Sequence, residues 1–339
     1  MYLDENGDVI PDMSTLGGLA VGVPGSISAI YKIHSKFGSL PIEDLFEPAI
    51  NLAKNGFVVT QKQSNSLTGK LEDFIKVNGE ESLYSKRYYE GDTIKNIKFA
   101  ETLSKISKFG PEIFYGGEIG EMIVNSVKKA GGIMTLKDLE NYKSIWRDPV
   151  KFKYKNLDII SMSLPSSGGI LIGQMLKVIE DYDIKSFGHN SVKTVQLLVE
   201  AERRAYADRS HFMGDPDYMN LPVYELMDKE YVVGRMKNFS WDEATSSSDV
   251  KHGNIILDES DETTHYSIID KHGNSVSVTT TLNNSYGSKV FVEEGGFFLN
   301  NEMDDFSSKP GHPNFYGLIG SEANSIQPGK RMLSSMTPS

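Results

Sequence analysis

The hydroxyl-rich stretch "DETTHYSIIDKHGNSVSVTTTLNNSYGS", Asp261 to Ser288, holds the residues whose types and spacing best suit chemistry. Two runs with strand-like alternation, Thr264 to Asp270 and Asn274 to Leu282, flank Lys271, His272 and Gly273. A three-residue loop with its glycine in the left-handed conformation is a favoured hairpin connection. The register that sets apolar against apolar pairs Ile268 with Val276 and Tyr266 with Val278. It also pairs Ser267 with Ser277, His265 with Thr279 and Thr263 with Thr281, and it leaves Asn283 further along the same side. Such a face is either an ordinary solvent-facing strand or a set of hydroxyls placed for nucleophilic work. Two clusters follow. Asn300, Asn301, Glu302, Asp304 and Asp305 end a short strand pattern, but the spacing of a calcium loop is absent, and no metal site is expected. Ser334 and Ser335 stand between Leu333 and Met336, a pattern that ordinarily marks a turn.

The elements that position these residues are legible in outline. In "PGSISAIYKIHSKFG", Ile27, Ile30, Tyr31 and Ile33 recur at near-helical spacing before Gly38. Thr135 with Asp138 forms a capping-box pattern after the turn at Gly131 and Gly132. "GGILIGQMLKVIEDYD" reads as a buried helix opened by "PSSGG", and "VKTVQLLVEAERRAYADRSHFMGDPD" as a long helix ending before Gly214, its charges forming a solvated face. Alternation replaces helical period from about Thr264 to Leu299, so residues 1–262 are helix-rich and residues 263–339 strand-rich. No repeat or linker separates them, and a single structural domain of mixed layers is expected.

Composition narrows the class. The 339 residues are 39% hydrophobic and 24% charged, values of a globular protein, and no apolar run approaches the roughly eighteen residues of a membrane span. A net charge of -11 argues against nucleic acid as a partner, since phosphate contacts need a basic face. Without cysteine there is no disulfide, thiolate catalysis or Cys-ligated zinc. The start, "MYLDENGDVIPDM", lacks the pattern of a signal peptide.

Taken in order and spacing, "TTHYSIID", "TTTLNNSYG", "LNNEMDDFSSKPG", "PNFYGLIG" and "LSSM" resemble the gamma-glutamyltranspeptidase family, also called glutathione hydrolases. Upstream, "GVPGSISAI", "GGIMTLKDLENY", "LPSSGGI" and "AYADRS" resemble the same family, so the likeness spans the chain. It implies the α+β fold of N-terminal-nucleophile hydrolases, a four-layer αββα sandwich, incomplete in this chain. It also implies one precursor cut between Glu262 and Thr263 into a large and a small subunit.

The chemistry suits that position. A hydroxyl is a weak nucleophile without a base beside it, whereas a threonine at a chain terminus carries an α-amino group with a pKa of about 8. By the resemblance, Thr263 attacks the γ-carbonyl of a donor such as glutathione, and water or an amino-acid or peptide acceptor resolves the acyl ester. Thr281 would bond the Thr263 hydroxyl, in agreement with the register argued from side chains alone. Asn283, Glu302 and Asp305 match positions that hold the donor's α-amino group, Ser334 and Ser335 the pair near its α-carboxylate, and Tyr316 an aromatic on a lid loop. No cofactor is implied. The family's carboxylate-clamping arginine and oxyanion-hole glycines match nothing here, so the chain reads as truncated at both ends. An extracytoplasmic location is implied by resemblance only. The alternatives are a non-catalytic relative that binds γ-glutamyl compounds or amino acids, or a sister acylase acting on cephalosporins or poly-γ-glutamate.

Overall fold

The computed structural model describes residues 1–246, 249–250 and 264–339. The proposed cut between Glu262 and Thr263 lies outside the described residues. In chain order the elements that matter here begin with helices α1 (Ser26–Phe37), α2 (Ile42–Asn55), α3 (Leu71–Asn78), α4 (Ile97–Phe109), α5 (Glu118–Lys129) and α6 (Leu136–Asn141). Next come strands β1 (Val150–Tyr154) and β2 (Leu157–Ser161), then helices α7 (Gly168–Ile179) and α8 (Val192–Phe212). Strands β3 (Thr264–Ile269), β4 (Ser275–Thr280), β5 (Phe291–Val292) and β6 (Phe297–Phe298) follow. Among the described residues the sheets are two-stranded. The chain forms two compact units: Pro11–Trp146 with Leu282–Met303, and Met1–Ile10 with Arg147–Thr281 and Asp304–Ser339.

In the first of these units α5 shows how sequence dictates local structure. Ile119, Ile123 and Val127 recur at i, i+4 and are fully buried. Glu118 and Glu121 stand in the first turn and Lys128 and Lys129 in the last, each complementing the helix dipole. The helix ends where Gly132 N–H bonds the Val127 carbonyl and Gly131, at φ 83, bonds that of Lys128, a left-handed cap that favours glycine. The buried face of α5 packs with Leu103 and Ile106 of α4, Leu139 of α6, and Val290, Val292 and Leu299 from far along the chain. An aromatic cluster of Phe74, Tyr84, Tyr88, Tyr286 and Phe298 forms the unit's second core.

The other unit packs α7 against α8. Ile170 and Leu171 meet Ala205, Met213, Leu226 and Leu333, while Val178 and Ile179 meet Leu197, Ala201 and Val232. The expected helix ends hold: α8 stops at Phe212, before Gly214, and Thr135 and Asp138 make the capping box of α6; at its start α8 is capped by Ser191, which accepts from Thr194 N–H. The hairpin β1–β2 departs from the helical reading of the first 262 residues. Its alternation is diluted by charged residues on both strands, Lys151 and Lys153 on β1 and Asp158 on β2, and the pattern lacks a glycine turn.

The charges of α8 also depart from expectation, because several are buried rather than solvated. Glu200 and Arg204 pair on the helix and are 2% and 4% exposed. Arg204 further donates to the Arg235 carbonyl, to Asn238 Oδ1 at 2.6 Å and to Thr245 Oγ1 at 3.2 Å, so one guanidinium pins the following segment to the helix. Buried charges survive when paired and hydrogen-bonded in this way.

Candidate functional site

The hairpin β3–β4 has the register that side-chain pairing demands: His265 opposite Thr279, Tyr266 opposite Val278, Ser267 opposite Ser277 and Ile268 opposite Val276. Gly273 takes φ 84 in the three-residue turn, and Asp270 secures that turn by accepting from the backbone N–H groups of His272 and Asn274. On the hydroxyl face, His265 Nδ1 lies 2.8 Å from Thr279 Oγ1, His265 Nε2 3.2 Å from Ser267 Oγ, and Ser267 Oγ 3.4 Å from Ser277 Oγ. Thr281 continues this face and is half-buried. Thr263, its expected partner, is outside the described residues.

Four more of the expected residues lie in the same unit as Thr281. Ser334 is held between strands of backbone: its N–H donates to the Pro165 carbonyl at 2.9 Å, and its own carbonyl accepts from both Ser167 N–H and Ser167 Oγ at 2.9 Å. That close approach requires Gly168, where a side chain would strike Thr337. Ser334 Oγ accepts from Met336 N–H at 3.2 Å, and the neighbouring Ser335 is exposed. Asn324 ties this segment to Asp305, since its Oδ1 accepts from Leu333 N–H at 3.0 Å while its Nδ2 donates to the Asp305 carbonyl at 2.6 Å. Tyr316 sits half-buried in a loop closed by Asn314, whose Oδ1 accepts from the N–H groups of Tyr316 and Leu318. Buried Asp304 anchors the loop by accepting from Phe315 N–H at 2.9 Å.

Asp305 itself is half-buried, and its carboxylate has no hydrogen-bond partner among the described residues. Burial pushes this carboxyl up to about 7, the Arg209 guanidinium pulls it down, and the Asp304 charge adds to the rise. A small cavity of about 10 Å³, room for roughly one water, is lined by Asp305 and Arg209 together with Asn314 and Asn324. Arg209 and Ser167 belong to this arrangement and were missed as site residues, although both lie in the quoted segments "AYADRS" and "LPSSGGI".

The remaining two expected residues lie in the other unit and share a scaffold there. Asn283, at φ 73 and buried, donates from Nδ2 to the Asn301 carbonyl at 3.1 Å. Glu302 N–H is capped by Asn300 Oδ1 at 3.0 Å. Asn300 is fixed in turn by reciprocal bonds with the Gly22 backbone, and Asn301 accepts from Asn284 N–H at 2.9 Å. Consecutive asparagines thus hold Asn283 and the Glu302 backbone on one frame. Among the described residues no cluster of carboxylates and histidines could hold a metal ion, and no helix is long and apolar enough to cross a membrane.

Comparison with known proteins places these features in context. Residues 1–339 match the family model described as Gamma-glutamyltranspeptidase. The chain is 39% identical over 350 aligned residues to a glutathione hydrolase proenzyme of Escherichia coli (strain K12), covering 100% of this chain and 59% of that relative. The crystal structure of Helicobacter pylori gamma-glutamyltranspeptidase matches with a TM-score of 0.71 at 38% identity, covering 74% of this chain and 73% of that one. Cephalosporin acylase from Bacillus halodurans matches with a TM-score of 0.78 over 95% of this chain and 57% of that one, but at 22% identity, a likeness of fold. The fold is that of the N-terminal-nucleophile hydrolases, and the chain spans about three fifths of the Escherichia coli relative's length.

Proposed function

Because the chain belongs to the gamma-glutamyltranspeptidase family, we propose that it is part of a γ-glutamyl hydrolase or transpeptidase that matures by cutting itself before Thr263. The observation that carries this reading is the Asp305 carboxylate. It lines a small cavity and has no hydrogen-bond partner among the described residues, and the Asp305 backbone is tied through Asn324 to the segment of Ser334 and Ser335. A carboxylate and serine hydroxyls on two segments joined in this way suit the ammonium and carboxylate of an α-amino acid head, which a γ-glutamyl group presents. Glutathione is the proposed donor, and water or an amino-acid or peptide amine the acceptor.

In the proposed reaction the freed α-amino group of Thr263 takes the proton of its own hydroxyl as Oγ attacks the γ-carbonyl. The amine leaving group departs with that proton, and an ester joins the γ-glutamyl group to Thr263. Water or the acceptor amine then attacks the ester, its proton passing to the same α-amino group, and the Thr263 hydroxyl is regenerated. Thr281, expected from the sequence pattern to face Thr263, supports the nucleophile by hydrogen bonding. Glu302 and Asn283 assist at the ammonium, and Tyr316 covers the site. Such an enzyme works outside the cytoplasm in this reading.

The protein expressed from its natural gene tests the proposal. Sequencing of the smaller subunit is expected to begin Thr-Thr-His-Tyr-Ser, and Thr263→Ala is expected to abolish both the cut and turnover of a γ-glutamyl anilide. A different start, or turnover without a cut, refutes the mechanism.

A further inference from the structure

We infer that Arg209 is a positioning residue of the donor site: it tethers the Ser334 segment and holds a fixed positive charge in the wall of the cavity that Asp305 also lines, without pairing with that carboxylate, which is left for an ammonium. The inference rests on the donor-binding reading above. Arg209 lies in the last turn of α8 and is 4% exposed. Its Nε donates to Ser167 Oγ at 3.0 Å, and one terminal nitrogen donates to the Leu333 carbonyl at 3.4 Å. Ser167 passes the tether on, since its hydroxyl donates to the Ser334 carbonyl. No carboxylate pairs directly with Arg209 among the described residues, yet it lines the same small cavity as Asp305.

A buried guanidinium without a contact ion is expensive, and an adjacent acid would ordinarily close on it. Here the two tethers hold the guanidinium back. An arginine in direct contact would occupy the oxygens that a donor ammonium needs. An arginine further away would leave burial to neutralise the acid. Sharing the cavity without a contact pair, Arg209 favours the charged carboxylate without filling it, in keeping with its pull on Asp305 against burial and Asp304. The other titratable groups nearby are His312, which lines the cavity, and Tyr206, which acts on Arg209. Lysine keeps the charge but cannot make both tethers, because its single nitrogen lacks the planar fork.

The test uses the protein expressed from its natural gene and follows the Asp305 carboxyl by ¹³C NMR titration, assigned by its absence in Asp305→Asn. The pH dependence of kcat/KM for a γ-glutamyl anilide is measured alongside. Arg209→Met is expected to raise both the carboxyl midpoint and the acidic limb of kcat/KM by roughly one to three pH units, the usual effect of losing an opposite charge at this range. Arg209→Lys is expected to hold the midpoint near the wild-type value while raising KM. Ser167→Ala frees the guanidinium to close on Asp305, so the midpoint is expected to fall and KM to rise. This variant serves where Arg209→Met does not fold. An unmoved midpoint in Arg209→Met, or in Ser167→Ala, overturns the inference, and activity that falls without a shift in the acidic limb assigns Arg209 a structural role only. Absence of γ-glutamyl turnover in the wild type overturns the functional reading, while the NMR titration still decides what Arg209 does to Asp305.

Discussion

In the proposed donor site, Asp305 couples recognition to proton binding. Its carboxyl is raised to about 7 in the folded protein, against about 4 for an unfolded chain, so between those values the folded state holds the extra proton. Stability therefore falls as pH rises across that window. Asp305→Asn cannot ionise and is expected to lose this component, giving a smaller drop in Tm between pH 4.5 and 7.5 than the wild type. Equal pH dependence in the two proteins rules the assignment out. The same substitution is expected to lower kcat/KM for γ-glutamyl donors by about 10² or more, on the order of 3 kcal/mol for a charge-assisted contact. Much of this residue was legible from sequence, because the segment carrying it resembles the family. Arg209 was not. An arginine late in a helix ordinarily reads as a surface cation favoured by the dipole, and only the approach of Ser167 and Leu333 reveals its burial.

At the scale of elements, the hairpin was legible down to its register, since one slip would set Ser277 against Tyr266 or Ile268 and mix apolar with polar pairs. The capping box of α6 was legible for a similar reason: its capping atoms lie within three residues of the groups they satisfy. The inward charges of α8 were not, because Glu200 and Arg204 one turn apart resemble an ordinary surface pair. Their burial depends on Arg235, Asn238 and Thr245, which fold back from more than thirty residues away. A mutation series separates the two readings. Arg204→Ala is expected to cost about 3 kcal/mol in urea unfolding, since Glu200 is left buried with a weakened partner set. Lys153→Ala, which removes an exposed pair with Asp158 at 2.9 Å, is expected to cause no measurable change. Similar losses in both variants contradict the buried-network account.

At the scale of the whole molecule, each compact unit is assembled from stretches that lie on both sides of the proposed cut. One unit joins residues 147–246 to 264–281 and 304–339, and the other joins 11–146 to 282–303. In the latter, Val290, Val292 and Leu299 complete the core of α4, α5 and α6, and Phe298 completes the cluster around Phe74. Cleavage before Thr263 is therefore expected to leave the two products associated. They should co-elute under native conditions and separate only in denaturant, and separation in native buffer contradicts the interleaved cores. A consequence concerns biosynthesis. Neither product holds a complete core, so covalent continuity has its work during folding and becomes dispensable afterwards. The two products translated from separate messages should reach the soluble state poorly, whereas the same pair made by cutting a finished chain should persist. The precursor would then be its own assembly guide, with the timing of the cut as the safeguard.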